Sequence, residues 1–307
     1  MILCCGEALI DMLPRQLPGG EKVYLPVAGG AIFNTAITLG RLGAKTGFLS
    51  GLSSDMFGDV LLESLKASDV DTSLCVLSER PTTLAFVKLR AGNAEYRFYD
   101  EGSAGRMLSP ETTPDIPNDV LAMHFGAISL ISEPCGSAYE SLAIREAPRR
   151  LISLDPNIRP GFISDQEAHR ARIGRMAAIA DIVKVSHEDL GWLAGDAIQA
   201  ATIERWLGGA TSVVIVTRGN EGASLHTRHG TLLVAAKETR VVDTVGAGDS
   251  FNGGFLHGLS CDGLLNKDAL SNASPEMLRN AAELAASVAA ITISRPGANP
   301  PWAEEIA

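Results

Sequence analysis

Short apolar or β-branched runs alternate with longer stretches of helical periodicity along most of the chain. Runs of strand length occur at Ile2–Cys5, Thr46–Leu49, Val120–Phe125, Leu151–Leu154, Ile182–Val185 and Ser212–Thr217. Helical patterns occupy Gly30–Leu42, Gly58–Ala67, Gly136–Ala147, Asp165–Ala180, Ala247–Leu259 and Pro275–Ile293. This order predicts an α/β chain whose central, mainly parallel sheet carries helices on both faces. The unbroken apolar character of Val213–Thr217 suits a strand buried on both sides.

Two stretches depart from the pattern. Met12–Gly30 is rich in proline and glycine, and Thr82–Gly102 alternates apolar and polar residues around Ala91-Gly92-Asn93, as a β-hairpin does. With no helix between their strands, they are expected to form a small antiparallel appendage beside the main sheet. No internal repeat is present.

Composition narrows the class. Hydrophobic residues make up 46% of the 307 positions and charged residues 20%, which excludes a disordered or fibrous chain. Lys and Arg number 26 against 36 Asp and Glu, a net charge of −10 that speaks against non-specific nucleic-acid binding. A small anion can still be held locally by backbone N–H groups. The opening MILCCGEALIDML lacks the basic start of a signal peptide, and no run approaches a membrane span. Five cysteines, an odd number without C-x-x-C spacing, read as reduced and mostly buried thiols. The expectation is a cytoplasmic protein with neither a membrane nor a nucleic-acid partner.

Several apparent motifs fail. Gly40 to Thr46 lacks the glycine before Lys45 that a P-loop needs, and no G-x-S-x-G elbow occurs. His226 and His229 sit on an expected strand pair, where they would point to opposite faces rather than share a metal. The first strand runs into Gly6-Glu7-Ala8, not the G-x-G-x-x-G of a dinucleotide-binding oxidoreductase.

The segment that carries chemistry is Asp243-Thr244-Val245-Gly246-Ala247-Gly248-Asp249, which leads from a β-rich run into a helix. Backbone N–H groups of Gly246, Ala247 and Gly248, with the helix dipole, make an anion site that needs no lysine. Asp249 in the first turn either takes a proton from an attacking hydroxyl or simply favours the helix N-terminus. The spacing leaves both open.

DTVGAGD resembles the C-terminal signature of the ribokinase/PfkB family of carbohydrate kinases. Gly29-Gly30-Ala31-Ile32-Phe33-Asn34 with Leu39 to Gly43 resembles the N-terminal signature, and Gly51, Asp55 and Gly58 continue it. Asp155-Pro156-Asn157-Ile158-Arg159 and Thr217-Arg218-Gly219-Asn220-Glu221-Gly222 are similar to the family's D-x-N-x-R and T-x-G-x-x-G segments. The resemblance spans essentially the whole chain, so it implies one ribokinase-like kinase domain over residues 1–307. Its fold would be a three-layer sandwich with a β lid built from residues 12–30 and 82–102.

The resemblance also implies roles. Asp249 would be the general base and Gly246–Gly248 the anion hole. Asp11, Gly29, Gly30, Asn34, Phe98 and Tyr99 would hold the sugar. Arg159, Thr217, Gly219 and Gly222, with Gly246 and Gly248, would serve ATP. Where the family often has N-x-x-E, this chain has Ser186 and Asp189, so water-mediated Mg²⁺ binding falls to Asp189 with Glu188. Asp243, Val245, Thr292, Arg295 and Gly297 match a segment that binds K⁺ in some members. A homodimer formed through the lid belongs to the same expectation.

Within the family, Gly6 to Asp11, Leu84 to Val87, Phe98-Tyr99, Ser103-Ala104 and Met107-Leu108 resemble the fructokinases. That implies fructose phosphorylated to fructose 6-phosphate. The alternatives are a 2-keto-3-deoxygluconate kinase, another ribokinase-like sugar kinase, or a non-catalytic sugar-binding relative. The last would be expected to lose Asp249 or its glycines. Some 2-keto-3-deoxygluconate kinases carry arginine where Asp100 stands here, and a carboxylate at that place should repel a sugar acid.

Overall fold

The computed structural model describes residues 1–90, 93–195 and 197–306, with side chains left aside at 88–90 and 93–96. In chain order the elements begin with β1 (Ile2–Cys5), β2 (Leu9–Gln16), β3 (Lys22–Gly29), α1 (Ala31–Arg41), β4 (Thr46–Leu49), β5 (Gly51–Ser53) and α2 (Met56–Lys66). They continue with β6 (Val70–Asp71), β7 (Val76–Ser78), β8 (Leu84–Arg90), β9 (Asn93–Tyr99), β10 (Ala122–Gly126), α3 (Cys135–Glu146), β11 (Leu151–Asp155) and α4 (Gln166–Ala177). After β12 (Ile182–Ser186) come α5 (His187–Ala194), α6 (Gln199–Leu207), β13 (Val213–Thr217), β14 (Ala223–Thr227) and β15 (Gly230–Val234). The chain closes with α7 (Ala247–Cys261), α8 (Lys267–Ser271) and α9 (Arg279–Ile293).

The main sheet runs β15-β14-β13-β12-β11-β10-β1-β4-β6 and is parallel from β6 to β13, with β14 and β15 antiparallel at one edge. Strand alternation divides the interior into two cores. Ile2, Cys4, Ala122, Leu151 and Ile182 face α1, α2, α7 and α9, whereas Leu3, Cys5, Met123, Ile152 and Val183 face α3 to α6. The expected sandwich of helix, sheet and helix is therefore present.

Helix α7 lies between α1 and α9 at close range. A Cβ added to Gly253 would stand 2.6 Å from Thr38, and one on Gly258 would stand 2.5 Å from the Ala281 Cα. No larger residue fits these crossings without displacing a neighbouring helix.

The two irregular stretches form a separate sheet in the order β3-β2-β8-β9. Each pair is antiparallel, but β2 and β8 join in parallel, so the expectation of a wholly antiparallel appendage fails. Both first strands run outward from the body, which forces the same direction on them. The expected turn residues Ala91 and Gly92 lie outside the described residues. Asp55 fastens this sheet to the body: it caps α2 through the N–H groups of Phe57 and Gly58 and also accepts from the Thr82 N–H at 2.9 Å. The Gly51–Asp55–Gly58 spacing is thus an anchor, with Gly51 against the Ala104 carbonyl and Gly58 against that of Ser53.

The pattern reading missed α5, α6 and α8, and Pro275–Ile293 divides into a short 3₁₀ turn (Glu276–Leu278) and α9. His226 lies on β14 and His229 in the turn after it, so they share no site. The free thiols of Cys4, Cys5 and Cys135 are buried and that of Cys261 is exposed. Among the described residues, no helix is long and apolar enough to cross a membrane.

Candidate active site

The carboxyl ends of β11, β12 and β13 meet the N-termini of α1 and α7 at a cavity of about 660 Å³. Crevices at this end of a parallel sheet are where open α/β proteins place ligands. Its lining includes Asp11, Gly30, Asn34, Phe98, Arg159, Thr217, Glu188, Asp189 and the whole run Thr244 to Asp249. Gly29 supports Asp11 from behind: a Cβ there would come within 2.6 Å of an Asp11 carboxylate oxygen.

Gly246 is left-handed (φ +78°) and its missing side chain makes room for Ala298, which a Cβ would approach to 2.6 Å. The turn delivers the amides of Ala247 and Gly248 to the start of α7, where the first N–H groups have no partner within the helix. Asp249 follows, buried, with its Oδ2 accepting a 2.9 Å hydrogen bond from Asn34 Nδ2. Burial pushes its carboxyl up to about 6, partly opposed by the Asn34 hydrogen bond and by Lys184. Such a group is ionised near neutrality and still basic enough to accept a proton. Burial and the nearby Asp249 likewise raise Asp11 to about 6.

The backbone anion site at Gly246–Gly248 has a lysine beside it that the sequence reading does not include. Lys184, from the middle of β12, lines the cavity so close to Gly248 that a Cβ there would lie 2.9 Å from its Nζ. Its ammonium donates to Asp155 Oδ2 at 2.8 Å, and Asn252 Nδ2 donates to the same oxygen at 2.7 Å. The available signal was one lysine inside the otherwise apolar run Ile182–Val185. Glu7 was also missed. Its Oε1 accepts from the Ala31 N–H at 2.8 Å at the start of α1, and burial raises its carboxyl to about 7.

The aromatic pair separates. Phe98 faces the cavity and packs edge-on against Phe162 at 4.4 Å, whereas Tyr99 points to the opposite, exposed face and meets Phe86. Adjacent strand residues cannot both face the cavity, so Tyr99 does not line it. Asp100 does not present a bare charge. Arg106 Nη1 donates to it at 3.2 Å and the Ser132 hydroxyl at 3.1 Å, beside a second cavity of about 720 Å³ that Phe98 also lines. The electrostatic case for a neutral sugar made from Asp100 alone therefore lapses.

A third cavity of about 530 Å³ adjoins the first, sharing Thr217, Thr244, Ala247 and Gly248. Val241, Phe251, Ala286, Ala289, Ala290 and Ile293 make it largely apolar, and Gly219 and Gly222 lie at its wall. Its walls suit a flat aromatic ring. Arg159 is exposed at the first cavity, and among the described residues its side chain bonds to the Ile158 carbonyl.

Ser186 caps α5 by accepting from the Asp189 N–H at 3.0 Å, which explains serine at this position. Glu188 and Asp189 occupy the first turn, and burial raises the Asp189 carboxyl, with Asp155 adding to the effect. Among the described residues no cluster of three or more His, Cys, Asp or Glu could hold a metal alone. Asp243 joins Val245 to Gly297 by accepting both N–H groups, at 3.1 and 2.9 Å. Thr292 is buried beneath them, bonded to Ser250, and Arg295 pairs with Glu305.

Comparison with known proteins fits this geometry. The model of the pfkB family of carbohydrate kinases matches residues 1–305. The chain is 55% identical over 280 residues to the fructokinase of Rhizobium leguminosarum bv. trifolii, covering 91% of this chain and 86% of that one. It is 32% identical over 314 residues to fructokinase-1 of Oryza sativa subsp. japonica, covering 100% and 95%. The crystal structure of fructokinase with bound ATP from Xylella fastidiosa superposes with a TM-score of 0.90 at 32% identity, over 97% of this chain and 93% of that one. Fructokinase from Vibrio cholerae O395 in its fructose, ADP and calcium ion bound form gives 0.82 at 25% identity, over 97% and 94%. Two signature turns facing one cavity and a family match along nearly the full length agree: this chain belongs to the pfkB family of carbohydrate kinases.

Proposed function

We propose that the protein is a fructokinase that transfers the γ-phosphoryl group of ATP to a hydroxyl of fructose, the 6-hydroxyl by resemblance. The observation that carries the reading is the meeting of Asp249 with the Gly246–Gly248 turn, at a polar cavity joined to an apolar one. Asp11 and Asn34 offer an acceptor and an amide to sugar hydroxyls, with the backbone of Gly29 and Gly30 beneath and Phe98 alongside. ATP lies with its base in the apolar cavity against Gly219 and Gly222, and its phosphates pass Thr217 and Arg159 toward Gly248.

Asp249 takes the hydroxyl proton as the sugar oxygen bonds to the γ-phosphorus. The bond to the bridging oxygen breaks and its electron pair leaves on ADP. N–H groups of the 246–248 turn meet the charge on the phosphoryl oxygens. A Mg²⁺ ion carried by ATP would neutralise phosphate charge, with Asp189 and Glu188 holding it through water. One or two carboxylates are the usual protein share of such a site. The turn joined by Asp243, with Val245, Thr292, Arg295 and Gly297 around it, would hold K⁺ by backbone oxygens.

The small sheet formed by residues 12–30 and 82–102 acts as a lid. Leu17, Tyr24, Leu25 and Tyr99 are exposed on it, a surface that a second copy would cover. The deciding test is ADP release with fructose, ribose, 2-keto-3-deoxygluconate and adenosine. Fructose should give the highest kcat/KM, and preference for the sugar acid would replace this reading.

A further inference from the structure

Lys184 is the charged residue of a strand that is otherwise buried and apolar through Val185. Burying an ammonium is costly, and a merely structural position here would favour another aliphatic side chain. It carries three N–H donors, and among the described residues its one hydrogen-bond acceptor is Asp155. Asn252 of α7 shares that acceptor, so the lysine head is held from two elements. The head reaches the cavity beside Gly248 and Asp249, where two donors remain for a ligand.

Resting on the kinase reading above, we propose that Lys184 is a catalytic residue whose ammonium binds the phosphoryl group during its passage from ATP to the sugar. As the sugar oxygen bonds to phosphorus and the bridging oxygen leaves with its electron pair on ADP, negative charge collects on the non-bridging oxygens. Lys184 meets that charge from the sheet side, beside Gly248. It transfers no proton, since Asp249 receives the one released. Asp155 and Asn252 are positioning residues that aim it.

The same placement gives Lys184 a second effect that can be measured. Asp249 is faced by Asn34 from α1, by Glu7 and Asp11 ahead of and within β2, by Asp155 from β11 and by Arg159 from the loop after it. Of these groups Lys184 and Arg159 favour its ionised form by charge, with Lys184 the larger influence.

The rival explanation is that Lys184 only neutralises Asp155. Lys184→Met alone would strand a buried carboxylate, so the informative comparison is between Asp155→Asn and the double variant Asp155→Asn/Lys184→Met. Wild-type turnover on fructose is measured first and decides the kinase reading separately. If Lys184 binds the phosphoryl group, the double variant folds, as circular dichroism reports, and its kcat falls about a hundredfold below that of Asp155→Asn, the scale for losing one oxyanion donor. Its KM for fructose stays within about threefold, and the acid limb of kcat/KM moves to higher pH. A double variant whose kcat lies within threefold of Asp155→Asn, with an unmoved acid limb, overturns the proposal and leaves Lys184 a structural counter-ion.

Discussion

Asp249→Asn should make the protein inactive and more stable at once. Asparagine keeps an oxygen for the Asn34 amide but carries no charge into a buried place. The carboxyl rises from 3.8 to about 6 on folding, a difference that corresponds to about 3 kcal/mol of destabilisation at pH 7. Because the folded state holds its proton to higher pH than the unfolded chain, stability falls as pH climbs between those two values, and the cost is complete above the upper one. At pH 5 only about half of the penalty has developed. For a chain of this length the variant should melt about 3–8 °C higher at pH 7, with a smaller gain at pH 5. Its kcat should fall about a hundredfold or more, the scale of general-base catalysis. Scanning calorimetry at both pH values beside ADP release would test the pair of effects. A variant that melts no higher than its parent at pH 7, or that keeps its turnover, would refute the assignment of a desolvated, working carboxylate to this position.

Other substitutions separate the roles of neighbouring residues. Gly246→Ala forces a side chain into a left-handed turn against Ala298, and kcat should drop more than tenfold at unchanged fructose KM, as steady-state kinetics would show. Phe98→Ala should raise the KM for fructose about tenfold while Tyr99→Ala leaves it within twofold, because the two rings face opposite sides of their strand. Glu146→Ala strands the buried Arg150 and should cost about 3–5 kcal/mol in urea unfolding without altering kcat. Hydrogen exchange should be faster in residues 12–30 and 82–102 than in the main sheet, and fructose should slow it there.

The parallel sheet and the signature turn at Gly246 to Asp249 were legible in the sequence because each leaves a local trace. Buried strands read as apolar runs, and a helix opened by glycines reads as an anion site. Helices α5 and α6 left a weaker trace, since Leu190 is the one fully buried residue of α5 and its acidic first turn faces the cavity. The parallel pairing of β2 with β8 joins segments some seventy residues apart and has no local signature. Lys184, Asp155 and Asn252 meet from three elements, so their network is a property of the register between β11 and β12. Asp100 shows the opposite error, a charge judged alone when Arg106 and Ser132 already engage it.

The tight seat of α7 between α1 and α9 has a consequence for how enzymes of this design diversify. In the proposed reading phosphoryl transfer is mounted on a helix whose crossings at Gly253 and Gly258 accept nothing larger than glycine, so substitution there would displace a neighbouring helix. The sugar, in the proposed reading, is met partly by an external sheet that Asp55 fastens to the body. New acceptor preferences can therefore arise by rewriting the attached strands while the transfer chemistry stays fixed. A library built to change the acceptor should spend its diversity on β2, β8 and β9 and leave the helical seat untouched.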